Sequence, residues 1–379
     1  MIPTEFSGRK LRRKVAADGP IETVRAAGDL ITRKKLGRPV FDPLVNRDVV
    51  RTLPREELPH RVKTVDIPNS ACPTPFTSVI PDGVVLTETG LVLTEAFEIV
   101  EESAAGPEQA QQAMMAMLSR ELFYGVLPLR NLLFGSGRTQ FPKLNSGPIA
   151  PLIPRYPDNY YHWMVETVPK IRYLRAFERE QEPVTLLISA DAPPFVDETL
   201  DLLDWPDSRI VRADHESYRV SELLIPSFPD RRSMDFEWLR EEILRSVSDH
   251  LPESETNIYV SRANGVERRV VNEDEVMDTL TEFNFECYLL EERSLAENAR
   301  LFADADIIVG PHGAGLTDII FAGDATLIEL FGQKVKQPYK LLAEAVGVDY
   351  EPIHCTPESA DIVVDVEELS ERIVQARKG

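Results

Sequence analysis

Residues 306–331, DIIVGPHGAGLTDIIFAGDATLIELF, constrain the fold more than any other part of the 379-residue chain. The apolar run Ile307-Ile308-Val309 is bounded by charge on one side and glycine on the other, the pattern of a buried parallel strand. The turn Gly310-Pro311-His312-Gly313-Ala314-Gly315 follows, then an apolar segment at helical spacing, then a second strand over 325–331. Strand, glycine turn, helix and strand make a βαβ unit. Its turn lies at the carboxyl end of a sheet, where open α/β folds bind ligands. Glycines there let backbone N–H groups approach an anion, and a helix N-terminus adds a partial charge of about half a unit. The order GxxGxG is not the dinucleotide GxGxxG, and no GK[ST] follows, so neither a dehydrogenase nor a P-loop enzyme fits. Two readings stay open at this level: a phosphate or pyrophosphate seat, or a turn that only lets a helix pack close to its strand.

The charge balance narrows the class of partner. Lys+Arg 42 against Asp+Glu 63 gives −21, with 11 lysines against 31 arginines. An acidic, lysine-poor surface suits molar salt, where the screening length is about 3 Å and self-repulsion costs little. A halophilic host is therefore expected, and nucleic acid is disfavoured as a partner. Residues 1–40 run the other way, with ten basic and four acidic residues. Such an arm either rests on anionic lipid head groups, as a peripheral membrane contact, or is a solvated tail. Cys72, Cys287 and Cys355 form neither metal spacing nor a disulfide framework, so a reducing cytoplasm is expected. No uncharged apolar run reaches 18 residues, and the first residues are too charged for a signal peptide.

In chain order, residues 1–75 read as loops and short helices. Residues 84–87 and 91–94, broken at Thr89-Gly90, read as a small antiparallel β element. A helical stretch over 107–118 and a Pro/Gly-rich passage to 154 follow. Residues 158–177 read as a helix with an Asp or Asn cap, kinked at Pro169. Strands are expected at 185–189, 209–212 and 220–226, and helices at 194–203 and 234–250. Leu251-Pro252-Glu253 reads as a hinge. Beyond it, strands at 257–261, 286–290, 307–309, 325–331 and 350–354 alternate with helices at 273–283, 295–302 and 339–346, and a last helix starts at Val366. That alternation implies a parallel sheet with right-handed crossovers. Three regions result: a basic arm and small β region over 1–115, a first Rossmann-like lobe over 116–252, and a second over 253–379.

Three segments together resemble one family. They are Asn159-Tyr160-Tyr161-His162-Trp163, then Tyr259-Val260-Ser261-Arg262 with Arg268-Arg269-Val270-Val271-Asn272-Glu273, and Gly310-Pro311-His312-Gly313-Ala314-Gly315-Leu316-Thr317. The chain resembles glycosyltransferase family 61 over roughly residues 120–350. Asp318 departs from that pattern, which usually has Asn there, and Asn298 stands near a common Gln. The resemblance implies a GT-B fold, two Rossmann-like lobes with parallel sheets facing a cleft. It also implies inverting, metal-independent transfer from a nucleotide sugar, mainly a UDP-sugar, to a hydroxyl of a glycan or lipid-linked oligosaccharide. An epimerase or hydrolase on the same fold, or a non-catalytic nucleotide-sugar-binding subunit, is the alternative.

Transfer with inversion needs a base for the attacking hydroxyl and cations or dipoles for the leaving diphosphate. The N–H groups of Gly313, Ala314 and Gly315 are expected at the diphosphate, with Arg262, which follows a strand, making bidentate bonds to it. Arg268 and Arg269 are weaker candidates. Glu329 either accepts ribose hydroxyls or forms a buried ion pair. His162 is the expected base, because its unperturbed pKa near 6.5 suits proton uptake at pH 7, with Glu166 one turn on to orient it. His312, in the glycine turn, is expected to touch the donor. Asp304-Ala305-Asp306 spells a DxD metal motif but precedes its strand, at the wrong edge, so no metal ligands are assigned.

Overall fold

The computed structural model describes residues 52–59, 61–63, 74–96, 98–104, 141–229, 233–247, 256–333 and 335–377. The basic arm, the 107–118 helix, Cys72 and the 251–253 hinge lie outside these residues. The chain divides into two compact units. The first takes its described residues from Met1–Asp158, Glu166–Ala192 and Pro206–Asp230, and the second from Asn159–Val165, Pro193–Trp205 and Arg231–Gly379.

The first unit is built on one nine-stranded sheet. Its strands are β1 (Thr52–Leu53), β2 (Arg61–Lys63), β3 (Phe76–Leu86), β4 (Leu91–Leu93), β5 (Ile99–Val100), β6 (Lys143–Pro151), β7 (Thr185–Ser189), β8 (Ile210–Ala213) and β9 (Ser217–Pro226). The expected hairpin is present, β3 pairing with β4 around a turn at Gly90, whose φ is 69°. It is no separate element, however, because β3 also pairs antiparallel with β9 along its length. The sheet is therefore mixed rather than parallel: β9, β6, β7 and β8 run parallel, while the β3–β4–β5 half runs antiparallel. The passage read as Pro/Gly-rich contains β6, a strand between β9 and β7. Its register shifts between Leu144 and Pro148, which is how a strand accommodates a proline that lacks a ladder N–H. Ile80, Val85, Val92, Val100, Ile149, Leu187, Val220 and Leu223 fill the core on this sheet. Each side chain so buried is worth about 1.5–3 kcal/mol.

The second unit holds the alternation seen in the sequence. Its five-stranded sheet comprises β10 (Thr256–Val260), β11 (Phe285–Tyr288), β12 (Ala305–Pro311), β13 (Thr326–Phe331) and β14 (Asp349–His354). The order is β11-β10-β12-β13-β14, and every neighbouring pair is parallel. The helices of the chain are α1 (Pro169–Glu178), in the first unit, and then α2 (Pro194–Leu202), α3 (Ser233–Val247), α4 (Glu273–Glu282), α5 (Leu295–Ala303), α6 (Pro338–Val346) and α7 (Val366–Ala376). On one face Tyr259, Val309, Ile328, Leu330 and Ile353 pack with Val276 and Leu280 of α4 and Leu369 and Ile373 of α7. The alternate residues Ile258, Ile308 and Leu327 are fully buried too, so both faces are covered and the strands read as continuous apolar runs. A short hairpin, β15 (Thr356–Glu358) with β16 (Asp361–Val363), has no counterpart in the expected elements.

This strand order has one place where the chain reverses its direction of travel across the sheet, between β10 and β12. From β10 the chain goes outward to β11, and from β12 it goes the other way to β13 and β14. In open α/β sheets the crevice beyond the carboxyl ends at such a point is where ligands bind. Arg262 leaves β10 there, and the glycine turn leaves β12.

Candidate active site

Two of the three glycines in the turn are explained by packing alone. A Cβ on Gly310 would stand 3.0 Å from Leu316 Cδ2 and 3.1 Å from Val260 Cβ, and one on Gly315 3.1 Å from Leu290 Cδ1. Gly313 is different. Its backbone is extended, a conformation any residue adopts, but a Cβ there would collide with the Arg262 guanidinium. Gly313 is thus the residue that makes room for an arginine. Arg262 is held from its own side by the loop that follows, where Gly265 N–H donates to the Arg262 carbonyl at 2.8 Å and Arg262 Nη2 to the Glu267 carbonyl at 3.4 Å.

The chain after the turn is a seven-residue 3-10 helix, Ala314–Ile320, not an α-helix, so the expected macrodipole is short. Arg262 lies against the turn, with Arg268 within electrostatic reach of it. Burial, and after it the charge of Arg268, lowers the Arg262 pKa. Among the described residues neither arginine forms an ion pair, and the Nε–H of each is buried without a hydrogen-bond partner. A buried donor left unmet costs about 1–3 kcal/mol, and an anion would satisfy it. Gly313→Ala should therefore weaken binding of inorganic pyrophosphate by about tenfold by displacing the guanidinium. Gly323→Ala, whose Cβ meets nothing within 4 Å, is the neutral control in the same titration.

His312, next to Gly313, pairs with a buried carboxylate. Its Nδ1 lies 2.5 Å from Glu329 Oε1, and Tyr350 Oη donates to Glu329 Oε2 at 2.7 Å. Both carboxylate oxygens of Glu329 are thus occupied, and the residue is fully buried. Its hydrogen bonds inside the protein run to His312 and Tyr350. The His312 ring stacks on Phe331 at 5.4 Å and meets Tyr339 edge-on at 5.2 Å. Tyr339 meets Tyr161 at 5.6 Å, and Tyr161 meets His162 at 5.7 Å. A chain of rings therefore joins His162 to His312, all within the second unit. Sequence order assigned His162 to the first lobe, but its segment, Asn159–Val165, groups with the second unit.

The backbone around His162 follows from two residues. Asn159 Oδ1 accepts from the N–H groups of Tyr161 and His162 at 3.0 and 3.4 Å, the expected cap. Pro169 does not bend one helix but divides two: a π-helical turn, His162–Thr167, and α1, with Pro169 in its first turn. Tyr160 Oη donates to Asp318 Oδ1 at 2.5 Å, fastening this segment to the 3-10 helix. Asp318 is buried, and burial raises its pKa to about 7. Glu166 falls in the first unit, where its charge and that of Glu102 oppose the burial that lowers Lys170 to about 8.

The remaining candidates fall into place by their partners. Arg269 Nη2 pairs with Asp361 at 2.9 Å and so ties β16 to the β10–α4 loop. Asp304 caps the end of α5 and Asp306 is exposed at the amino end of β12, the opposite edge from the glycine turn. Among the described residues no three His, Cys, Asp or Glu side chains cluster as a metal site. Tyr339 and Tyr350 were absent from the expected site, because nothing in their local sequence marks them. Tyr160 and Tyr161 carried a signal only as part of the NYYHW segment.

Residues 160–328 match the family model described as Glycosyltransferase 61. The matched stretch contains His162, Arg262, the glycine turn and Asp318, and stops one residue short of Glu329. A beta-1,2-xylosyltransferase from Arabidopsis thaliana is 31% identical over 121 residues, 28% of this chain and 23% of the relative. Beta-1,2-xylosyltransferase RCN11 from Oryza sativa subsp. japonica is 26% identical over 176 residues, 42% of this chain and 32% of the relative. An EGF domain-specific O-linked N-acetylglucosamine transferase from Mus musculus is 34% identical over 89 residues, 22% and 17% respectively. The chain thus spans a third or less of the length of these relatives.

Proposed function

We propose that this chain is an inverting, metal-independent glycosyltransferase whose second unit is the donor half of a GT-B enzyme. It takes a sugar from a nucleotide sugar, with UDP as leaving group, to a hydroxyl of a glycan or lipid-linked oligosaccharide. The observation that carries this reading is the Arg262 guanidinium over Gly313 at the reversal point of the sheet, with Arg268 beside it and buried N–H groups unmet. The names of the relatives make UDP-xylose and UDP-N-acetylglucosamine the first donors to test.

In this reading the acceptor oxygen bonds to the anomeric carbon as the bond from that carbon to the diphosphate oxygen breaks. Its electron pair leaves with the diphosphate, whose charge Arg262 and Arg268 meet, and the acceptor's proton passes to His162. The acidic surface suits a high-salt cytoplasm, with the basic arm as a peripheral membrane contact. Among the described residues no helix is long and apolar enough to cross a membrane. The test is Arg262→Ala. UDP binding measured by calorimetry should weaken by about 1.5–3 kcal/mol, the range for charge-assisted hydrogen bonds, and unchanged affinity would remove the site.

A further inference from the structure

Glu329, Tyr350 and the rings around them lie beyond the matched stretch, yet they meet its glycine turn. Glu329 is a fully buried carboxylate, with no side-chain exposure against 8% for His312. The imidazole is therefore the member of the pair that reaches outward. A carboxylate accepts only, so the group at 2.5 Å must donate: Nδ1 carries hydrogen toward Oε1, while Tyr350 Oη–H saturates Oε2. The ring is gripped on its faces as well, by Phe331 in stacking contact and Tyr339 edge-on. A neutral imidazole held this way has one unsatisfied atom, the Nε2 lone pair.

That lone pair is unsuited to phosphate, whose oxygens are acceptors too, and Arg262 and Arg268 already offer donors. In a UDP-sugar the diphosphate is flanked by hydroxyls, the ribose on one side and the transferred sugar on the other. We infer that Glu329 is a positioning residue: with Tyr350 it fixes His312 as the Nδ1–H tautomer, so that Nε2 accepts a hydrogen bond from a donor hydroxyl. Glu329 itself never touches the ligand. This rests on the nucleotide-sugar reading of the same site.

The experiment titrates the full chain and its variants with UDP, 2′-deoxy-UDP, UDP-xylose and UDP-N-acetylglucosamine, and records the histidine-ring nitrogen spectrum. In the wild type His312 should show the Nδ1–H tautomer alone, and in Glu329→Gln a mixture. His312→Phe should weaken UDP about tenfold but leave 2′-deoxy-UDP unaltered if the hydroxyl is that of the ribose. It should weaken only the sugar nucleotides if the hydroxyl belongs to the sugar. Glu329→Gln should show the same pattern at smaller amplitude, and Tyr350→Phe smaller still. Equal weakening of all four ligands, or none, overturns the inference, since a merely structural pair or a phosphate contact acts on all alike. Failure of the wild type to bind any uridine nucleotide overturns the underlying reading instead, and is seen separately from the tautomer.

Discussion

Asp318→Asn should make the protein more stable at pH 8 by about 4 kcal/mol and leave it unchanged near pH 4. Burial raises this carboxyl from 3.8 to about 7 in the fold. Between those values the unfolded chain releases a proton that the folded chain keeps. The stability Asp318 contributes is therefore whole below pH 4 and is lost as the pH climbs through 7, at about 1.4 kcal/mol for each unit in between. An amide has no such slope, and its oxygen still accepts from Tyr160 Oη, as Asp318 Oδ1 does at 2.5 Å. Urea unfolding at pH 4.5, 6 and 8 measures the difference. Parallel curves for the two proteins would show that Asp318 titrates as an ordinary surface carboxylate.

His162→Ala should lower the rate of sugar transfer by about 10²–10⁴-fold while UDP affinity stays near that of the wild type. The imidazole opens the π-helical turn, and its backbone N–H is held by Asn159, so removing the side chain spares the cap. The ring of Tyr161, between His162 and Tyr339, is untouched by the substitution. The seat at Arg262 and Gly313 should therefore keep its shape. Product formation under saturating donor, beside calorimetry with UDP, separates the two effects. A variant that binds UDP poorly but turns over normally per bound donor would place His162 on the nucleotide rather than on the acceptor's proton.

Local sequence carried much of the second unit. The alternation from β10 to α7 was readable because the strands are short and the central ones are apolar on both faces and set off by charge or glycine, as in Ile307-Ile308-Val309 before Gly310. The first unit was less readable. Pro148, Pro151 and Gly147 concealed β6, whose register shift is visible only beside β9. The hairpin at Gly90 was recognisable, but its union with β9, more than a hundred residues on, was not.

At the site, residue types marked Arg262, His162 and the glycine turn, while their relations came from elsewhere. No spacing rule foretells that Gly313 is small for the sake of an arginine about fifty residues earlier, or that Glu329 turns to His312 and Tyr350.

The sequence by itself determined where strands alternate with helices, that a glycine turn stands at a strand's carboxyl end, and which side chains could bear charge beside it. Those properties are local, fixed by periodicity and by what each residue type permits its own backbone. Strand order, the point where the sheet reverses, and the meeting of Arg262, Gly313, His312 and Glu329 were decided only by the tertiary structure. Parallel strands pair across long loops, and contacts between residues far apart in the chain arise only when the whole sheet is assembled.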